Sequence, residues 1–175
     1  MLKLHEFFLT FFYSGKIKKA PGTFASLVSI FFWLLLTAIF FNHQVSLTNQ
    51  NTFWGIFLTI AFIYGCLASP IYAKQFNQID HQSIVIDEVV GQILALQITF
   101  SFFHHHYFFK TSFIFLHLLL CFTLFRFFDI KKPWLIGYAD RNFKNGFGVM
   151  FDDLLSGFVA AILAFFFLKL TLMIR

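Results

Sequence analysis

The sequence has few charged residues. Lysine, arginine, aspartate and glutamate make up 12% of its 175 residues, about half of the roughly 25% that is usual in soluble globular domains. Between Ala20 and Ala73 there is no charged side chain at all. This composition excludes an ordinary soluble domain and favours a membrane protein. We accordingly expect no nucleic-acid partner.

Cysteine is scarce, and a processing signal is missing. Cys66 and Cys121 each lie inside an apolar run, which predicts neither a disulfide framework nor a metal motif of paired cysteines. No small-residue cleavage site precedes the basic run from Lys16 to Lys19, so we do not predict a signal peptide. Instead, apolar residues within segment 1–19 recur at helical spacing and predict a basic, amphipathic helix in the membrane interface.

Apolar residues are abundant, at 59% of the chain. Crossing hydrocarbon about 30 Å thick takes about 20 mostly apolar residues in a helix. Five segments approach this length: 24–41, 53–73, 84–103, 113–130 and 154–174. The predicted fold is therefore all-α, a polytopic helical membrane protein forming a single domain over residues 1–175. The third segment begins with Asp87 and Glu88, so a re-entrant or partly interfacial course stays open for it.

Basic residues beside the segments predict the orientation. Lysine and arginine near the ends of membrane helices are retained on the cytoplasmic side. On one side of the predicted segments lie Lys3, Lys16, Lys18, Lys19, Lys74, Arg126, Lys131, Lys132, Arg141 and Lys144, whereas the other side has only Lys110 and Arg175. The amino terminus and the longest polar connection, residues 131–153, are therefore predicted to be cytoplasmic. Such a long connection is a candidate functional loop.

The acidic residues fall on the same side. Five of them lie at the predicted ends of three segments: Asp87, Glu88, Asp129, Asp152 and Asp153. Helix capping could explain the acids at helix starts, but not Asp129 at a carboxyl end. Asp129 could instead form an intrahelical ion pair with Arg126, three residues earlier. A divalent cation such as Mg²⁺ would compensate the whole cluster, because it binds carboxylates together with substrate phosphate.

The same face also has features of a phosphate site. Three predicted segments begin there, and helix starts attract anions. Gly22 precedes the first segment, with Thr23 as the predicted helix cap. The nearby bases could bind phosphate, or could simply reflect topology and attraction to anionic lipid. The consecutive histidines His104 to His106 fall on the opposite side, and we do not expect a metal site there.

Two other classes of protein remain open at this point. A small ion-coupled transporter would also contain acidic residues in its membrane segments, although it predicts them near the midplane. A non-catalytic membrane scaffold would use the same acids only as helix caps. Neither alternative explains why acids and bases collect at one level as well as a membrane-embedded metal and phosphate site does.

Four strings, read together, resemble one family. They are residues 20–27 (APGTFASL), 80–91 (DHQSIVIDEVVG), 125–134 (FRFFDIKKPW) and 146–153 (GFGVMFDD), with Asp140-Arg141 between the last two. Their sequences and order resemble the phosphatidylglycerophosphatase A family over most of the chain. The resemblance implies a Mg²⁺-dependent phosphoric monoester hydrolase of phospholipid biosynthesis. It would convert phosphatidylglycerophosphate to phosphatidylglycerol at the cytoplasmic face of a bacterial inner membrane.

The resemblance also suggests roles for individual residues. Asp87, Glu88, Asp152 and Asp153 would hold one or two Mg²⁺ ions. Asp129 would be the general base, although a ligand or an aspartyl nucleophile are alternatives. The remaining predicted residues would bind the substrate: Gly22, Thr23, Arg126, Lys131, Lys132 and Arg141. Oligomeric state is not predictable from these features.

Overall fold

The described part of the chain is entirely helical, as predicted. A computed structural model describes residues 2–76, 81–107 and 111–174. Within these ranges the chain forms α1 (Leu2–Leu9), α2 (Pro21–Asn42), α3 (Leu47–Ala73), α4 (Ile86–Tyr107), α5 (Thr111–Lys131), α6 (Trp134–Asn142) and α7 (Gly146–Met173). Short 3₁₀ turns occur at Ser14–Lys16 and Lys74–Phe76. The predicted all-α class is therefore confirmed.

Five helices are long and apolar enough to cross a membrane: α2, α3, α4, α5 and α7. They correspond to the five predicted segments. The third of them, α4, is one continuous helix of 22 residues, so at about 1.5 Å per residue it can cross the hydrocarbon. It contains no turn of the kind that a re-entrant course would require.

Helix α4 lies at the centre of the bundle. It packs against α2, α3, α5 and α7, and 72% of its apolar window is buried, against about a third for each of the other candidate spans. The central position of α4 explains why it is less apolar than the other candidate spans, because its polar residues face other helices instead of lipid. The surrounding helices expose large apolar side chains such as Phe31, Leu67 and Phe166.

Glycines allow α4 and α7 to approach closely. A Cβ atom on Gly157 would overlap the main-chain carbonyl of Gly91, and a Cβ on Gly91 would overlap the carbonyl oxygen of Asp153. Small residues at a membrane helix interface permit such backbone contact. The crossing therefore places Asp153 of α7 beside the first turn of α4.

Polar contacts set the register of the other helices around α4. Trp33 Nε1 of α2 donates to Gln97 Oε1 at 2.8 Å, and Gln97 Nε2 donates to Asn51 Oδ1 of α3, also at 2.8 Å. Thr99 Oγ1 of α4 contacts His117 Nε2 of α5 at 2.5 Å. Leaving such groups unpaired in the membrane would be costly, so each contact favours one helix register.

The amino-terminal segment differs from its prediction. A helix was expected to include Phe11 and Phe12, but α1 ends at Leu9 and these two residues have positive φ angles. The chain turns there because the Leu9 carbonyl accepts a hydrogen bond from Val85 N (2.9 Å), just before α4. The prediction of one interfacial helix is therefore wrong beyond Leu9, because a tertiary hydrogen bond overrides the helical spacing.

The predicted functional loop at 131–153 is largely helical. It contains α6 and the first two turns of α7, which begins at Gly146 and not at 154 as predicted. Asn145 caps α7, because its Oδ1 accepts from Gly148 N at 3.0 Å. Gly146 packs directly against the Cys66 carbonyl and Pro70 of α3. Gly146, within the predicted loop, is thus a close-packing position inside a helix.

Candidate active site

A polar cavity of about 820 Å³ opens where α2, α4 and α7 begin and α5 ends. Most of the predicted site residues line it: Gly22, Thr23, Asp87, Glu88, Arg126, Asp129, Lys132, Asp152 and Asp153. The structure therefore brings all five predicted carboxylates to one cavity, although Asp152 and Asp153 lie beyond the first turn of α7 and not at its start. Lys131 and Arg141 do not line the cavity.

Three of the carboxylates form a compact group. Oxygen atoms of Asp87, Glu88 and Asp153 lie within 4.8 Å of one another. Asp87 and Asp153 are buried, and Glu88 Oε2 is a buried oxygen without a hydrogen-bond partner among the described residues. Asp87 also caps locally, since its Oδ1 accepts from Glu88 N at 3.1 Å. Asp153 cannot be a cap, because it lies beyond the first turn of α7.

Arg126 and Asp129 form the predicted ion pair within α5. Nη1 of Arg126 lies 2.5 Å from Oδ2 of Asp129, and both side chains are mostly buried. The pair is not isolated, however, because the Asp129 carboxylate also interacts with Asp153 and Glu88. Nε of Arg126 is buried and has no hydrogen-bond acceptor in the described part of the chain. The guanidinium therefore retains a donor that a phosphate could use.

Gly22 leaves space for the side chains of Glu88 and Arg126. A Cβ atom at this position would overlap Glu88 Oε1 and come within 3.3 Å of Arg126 Nη1. The predicted cap at Thr23 is wrong, because α2 begins two residues earlier, at Pro21, with Ala20 as the N-cap. Proline at the first helical position has a preset φ angle and no N–H to satisfy. Thr23 nevertheless lines the cavity.

Lys132 bridges two acids on the other side of the cavity. Its Nζ lies 2.7 Å from Asp140 Oδ1 of α6 and also pairs with Asp152 Oδ2 of α7. Burial lowers the pKa of Lys132, but the hydrogen bonds to the two carboxylates outweigh it and the net pKa is raised. The hydrogen bond from Lys132 lowers the pKa of Asp140. Asp152 is thereby held by a base and lies outside the three-carboxylate group.

Comparison with known proteins identifies the family. The family model described as phosphatidylglycerophosphatase A matches residues 7–168, which include every element of the cavity. The chain belongs to the phosphatidylglycerophosphatase A family. The predicted family and the enzyme class of phosphoric monoester hydrolase are thus confirmed.

Individual members of the family and a further relative are similar over most of their length. The chain is 36% identical to phosphatidylglycerophosphatase A of Haemophilus influenzae, over 88% of this chain and 82% of the relative. It is 30% identical to the Escherichia coli protein of the same name, over 89% and 78%. A Bacteroides thetaiotaomicron relative, provisionally named a phosphatidylinositol-3-phosphatase, is also 30% identical, over 88% and 87%. No solved structure gives a significant match.

The remaining predicted residues lie away from the cavity of this family member. Lys131 and Arg141 are exposed, because they fall on the outer sides of α5 and α6. Asp140 and Lys144, which were not predicted as site residues, line the cavity instead. Adjacent residues in a helix point about 100° apart, so a helical reading of residues 134–142 would have separated Asp140 from Arg141.

The histidines are also distant from the cavity. His104 and His105 lie at the end of α4 opposite to Asp87, and the side chain of His106 is outside the described residues. Gln92, which the sequence analysis did not single out, is fully buried one turn below Glu88. Neither of its amide atoms has a hydrogen-bond partner among the described residues. The sequence could have indicated Gln92 as a site residue, because it lies one helical turn after Glu88 and thus on the same face of α4.

Proposed function

We propose that this phosphatase is a Mg²⁺-dependent enzyme that hydrolyses phosphatidylglycerophosphate to phosphatidylglycerol and phosphate. The observation that supports this most directly is the grouping of Asp87, Glu88 and Asp153 beside Arg126 in one cavity at a membrane-helix end. Two relatives carry the name of this activity. The reaction belongs to phospholipid biosynthesis and would occur at the inner membrane of a bacterium.

The residues of the carboxylate group fit a magnesium ion. All three offer oxygen, which Mg²⁺ prefers, and Mg²⁺ usually takes few protein ligands and leaves positions for substrate phosphate. The unpartnered Glu88 Oε2 supports this fit. Asp87, Glu88 and Asp153 would hold the ion, whereas Asp152, also expected to be a ligand, would mainly orient Lys132. When bound, Mg²⁺ would offset the negative charge shared by the phosphate and the carboxylates.

Arg126 and Lys132 bind the substrate phosphate in this proposal. The Nε donor of Arg126 is buried and has no acceptor among the described residues, and the planar fork of donors in a guanidinium matches phosphate oxygens. Lys132 also lines the cavity and adds a positively charged group. Thr23, at the cavity edge, is an additional hydroxyl donor. Lys131 and Arg141, which were predicted to bind phosphate, have no such role because they lie outside the cavity.

Asp129 acts as the general base. It accepts a proton from water, whose oxygen bonds to phosphorus while the bond from phosphorus to the glycerol oxygen breaks. The leaving oxygen takes a proton from solvent in the open cavity, so the products are an alcohol and inorganic phosphate. An aspartyl-phosphate intermediate is the alternative, and a hydroxylamine-trappable phosphoenzyme would distinguish it.

The position of the acids favours an enzyme over a transporter. A transporter predicts carboxylates near the bilayer midplane, whereas these carboxylates lie within two turns or so of helix ends at one end of the bundle. The bases that flank the same end support a cytoplasmic position for the cavity, because the positive-inside rule associates such bases with the cytoplasmic side. A scaffold would not explain why the buried Nε donor of Arg126 has no acceptor among the described residues.

Phosphate release from purified protein tests the proposal. In detergent with phosphatidylglycerophosphate, release should require Mg²⁺, stop with EDTA and resume when Mg²⁺ is added. Phosphatidylinositol 3-phosphate is the comparison substrate, because one relative is provisionally named for it. The Asp153→Asn protein controls for contaminating phosphatases. Full activity in EDTA after dialysis would contradict the metal requirement, and release only from the inositol lipid would contradict the substrate.

A further inference from the structure

Helix α6 exposes a row of large apolar side chains. Trp134, Leu135 and Tyr138 are 82%, 73% and 58% exposed. The opposite side of the helix is buried against the bundle through Ile136 and Ala139. An apolar row of this kind on a segment outside the membrane spans usually marks a surface that binds something apolar.

This row continues the lipid-facing side of α5. Phe127 and Ile130, in the last two turns of α5, are 54% and 65% exposed. Only Lys132 and Pro133 separate the end of α5 at Lys131 from the start of α6 at Trp134. Exposed apolar residues at the end of a membrane-spanning helix are therefore followed, after a two-residue connection, by those of α6, which favours lipid as the occupant.

Charge on the same surface favours anionic lipid. Arg141 follows Tyr138 by three residues and thus lies on the same side of α6, and Lys131 precedes the helix. Both are exposed, and neither forms an ion pair with another residue in the described ranges. Exposed bases beside an apolar row are typical of interfacial helices that bind anionic bilayers.

We propose that Trp134, Leu135, Tyr138 and Arg141, together with Lys131, form a binding surface for anionic phospholipid in the headgroup layer. We name these five residues the α6 lipid surface. Tryptophan and tyrosine favour the headgroup level because one part of each ring is apolar and another is polar. This binding does not depend on the reaction proposed above.

Lipid binding by α6 would support the wall of the cavity. Asp140 lies on the inward side of α6 and pairs with Lys132, which also contacts Asp152. A helix that rests in the headgroup layer holds this bridge in place, whereas a helix that leaves the layer pulls on it. We therefore expect turnover of long-chain substrate in vesicles to depend on the α6 lipid surface.

Tryptophan fluorescence tests the location of α6. The chain has three tryptophans; Trp33 and Trp54 are fully buried, so the difference between wild type and Trp134→Phe reports on Trp134. In vesicles, lipids brominated near the carboxyl end of the acyl chain should quench this difference signal, and aqueous iodide should not. Absence of bromolipid quenching would overturn the proposal: strong iodide quenching would then place Trp134 in water, and quenching by neither reagent would mean that a protein partner covers α6.

A second measurement tests the preference for anionic lipid. Brominated phosphatidylglycerol and brominated phosphatidylcholine are compared at equal low fractions in phosphatidylcholine vesicles. The anionic lipid should quench Trp134 several-fold more, and this ratio should fall to about one in the variant with Lys131→Gln and Arg141→Gln. Lys169→Gln, an exposed base near the far end of α7, is the matched control. An equal ratio in the wild type would contradict anionic binding.

Discussion

Gly22 leaves room for other side chains of the candidate active site, because its own side chain is a single hydrogen atom. A methyl group there would occupy the place of Glu88 Oε1 and crowd Arg126. The sequence suggested a glycine turn that presents backbone N–H groups to phosphate. In the structure Gly22 lies inside α2, in the second helical position, and its main effect is to let Glu88 approach the helix.

We expect Gly22→Ala to lower phosphate release at least about tenfold, as for other changes beside a metal ligand. The added methyl group displaces Glu88, so the Mg²⁺ concentration for half-maximal activity should rise. Gly55→Ala is the control, because a Cβ there meets nothing within 4 Å. It should keep full activity and gain up to about 1 kcal/mol of helix stability. Equal activity of both variants would contradict the proposed role of Glu88.

Asp152 and Asp153 are neighbours in sequence but have different partners. Asp153 faces the carboxylate group, and Asp152 pairs with Lys132. Helix capping explains neither residue, because α7 begins at Gly146 and is capped by Asn145. The capping alternative therefore survives only for Asp87 and Glu88, in the first turn of α4.

Asparagine substitutions should separate the two aspartates. Asp153→Asn should lower activity by orders of magnitude and raise the Mg²⁺ requirement, because an amide is a poorer Mg²⁺ ligand than a carboxylate. Asp152→Asn should leave the Mg²⁺ requirement unchanged and mainly raise KM through Lys132. Asn145→Ala, which removes the true cap, should cost about 1 kcal/mol of stability. Identical Mg²⁺ titrations for all three variants would argue against the ligand assignment.

At the scale of elements, the crossing of α4 and α7 brings the acids together. The two helices touch through backbone atoms at Gly91 and Gly157. This contact sits about one turn from both Asp87 and Asp153, so the spacing of the helices sets the spacing of the carboxylates. The site is therefore as sensitive to this crossing as to the acids themselves.

Gly157→Ala should separate α4 from α7 and reduce both thermal stability and activity. The physical reason is overlap between the new Cβ and the Gly91 carbonyl. Thermal unfolding in detergent and phosphate release at saturating Mg²⁺ measure the two effects. Phe158→Ala changes an exposed neighbour on α7 and should leave activity unchanged. A fully active Gly157→Ala protein would mean that the acids do not depend on this contact.

The link between α6 and α7 through Lys132 should resist changes of pH. Because the pKa of Asp140 is lowered, the stability that its ionised form adds to the folded protein is fully present above the ordinary pKa of 3.8. This stability is lost as pH falls through the lowered pKa. Because the pKa of Lys132 is raised, the stability that its protonated form adds to the folded protein is fully present below the ordinary pKa of 10.5. This stability is lost as pH rises through the raised pKa. Between these values the stabilising effect is constant.

We therefore expect Lys132→Met to lower the unfolding temperature by the same amount across about pH 5 to 9. The exposed neighbouring variant Lys131→Met is the control and should change the unfolding temperature little. Both are measured by thermal unfolding in the same detergent. A loss of stability that titrates within this pH window would show that another ionisable group controls the link.

At the scale of the whole molecule, a group of basic residues and the cavity lie at the same end of the helix bundle. Lys16, Lys132 and Lys144 belong to the end at which α2, α4 and α7 begin, and the cavity opens there. The positive-inside rule predicts that this end is cytoplasmic. The substrate headgroup would then be processed in the cytoplasmic leaflet.

Labelling of single cysteines should confirm this orientation. In a protein with Cys66→Ala and Cys121→Ala, Asn49→Cys should react with a membrane-impermeant maleimide in intact spheroplasts. Asn142→Cys should react only after lysis, because Asn142 is the last residue of α6, at the other end of the bundle. Both asparagines are exposed, so accessibility within the protein is matched. The reverse pattern would place the cavity outside and contradict the orientation.

Local sequence determined the number of membrane helices, their order and the end at which charges collect. Apolar length and the placement of lysine and arginine act on each segment separately, because each helix must satisfy its own backbone and its own contact with lipid. For the same reason, Arg126 and the acids at the charged end of the helices were predictable. The family resemblance added the reaction, which no pattern of hydropathy could specify.

Tertiary structure decided which of these residues meet. Asp153 joins Asp87 and Glu88 while Asp152 turns to Lys132, because residues adjacent on α7 point about 100° apart and α4 contacts only one side of it. The same reason separates Asp140 from Arg141 on α6, a helix that the sequence analysis did not foresee. Packing also converted apparent loop glycines into helix contacts at Gly146 and Gly22, because the absence of a side chain matters only when another element lies against it.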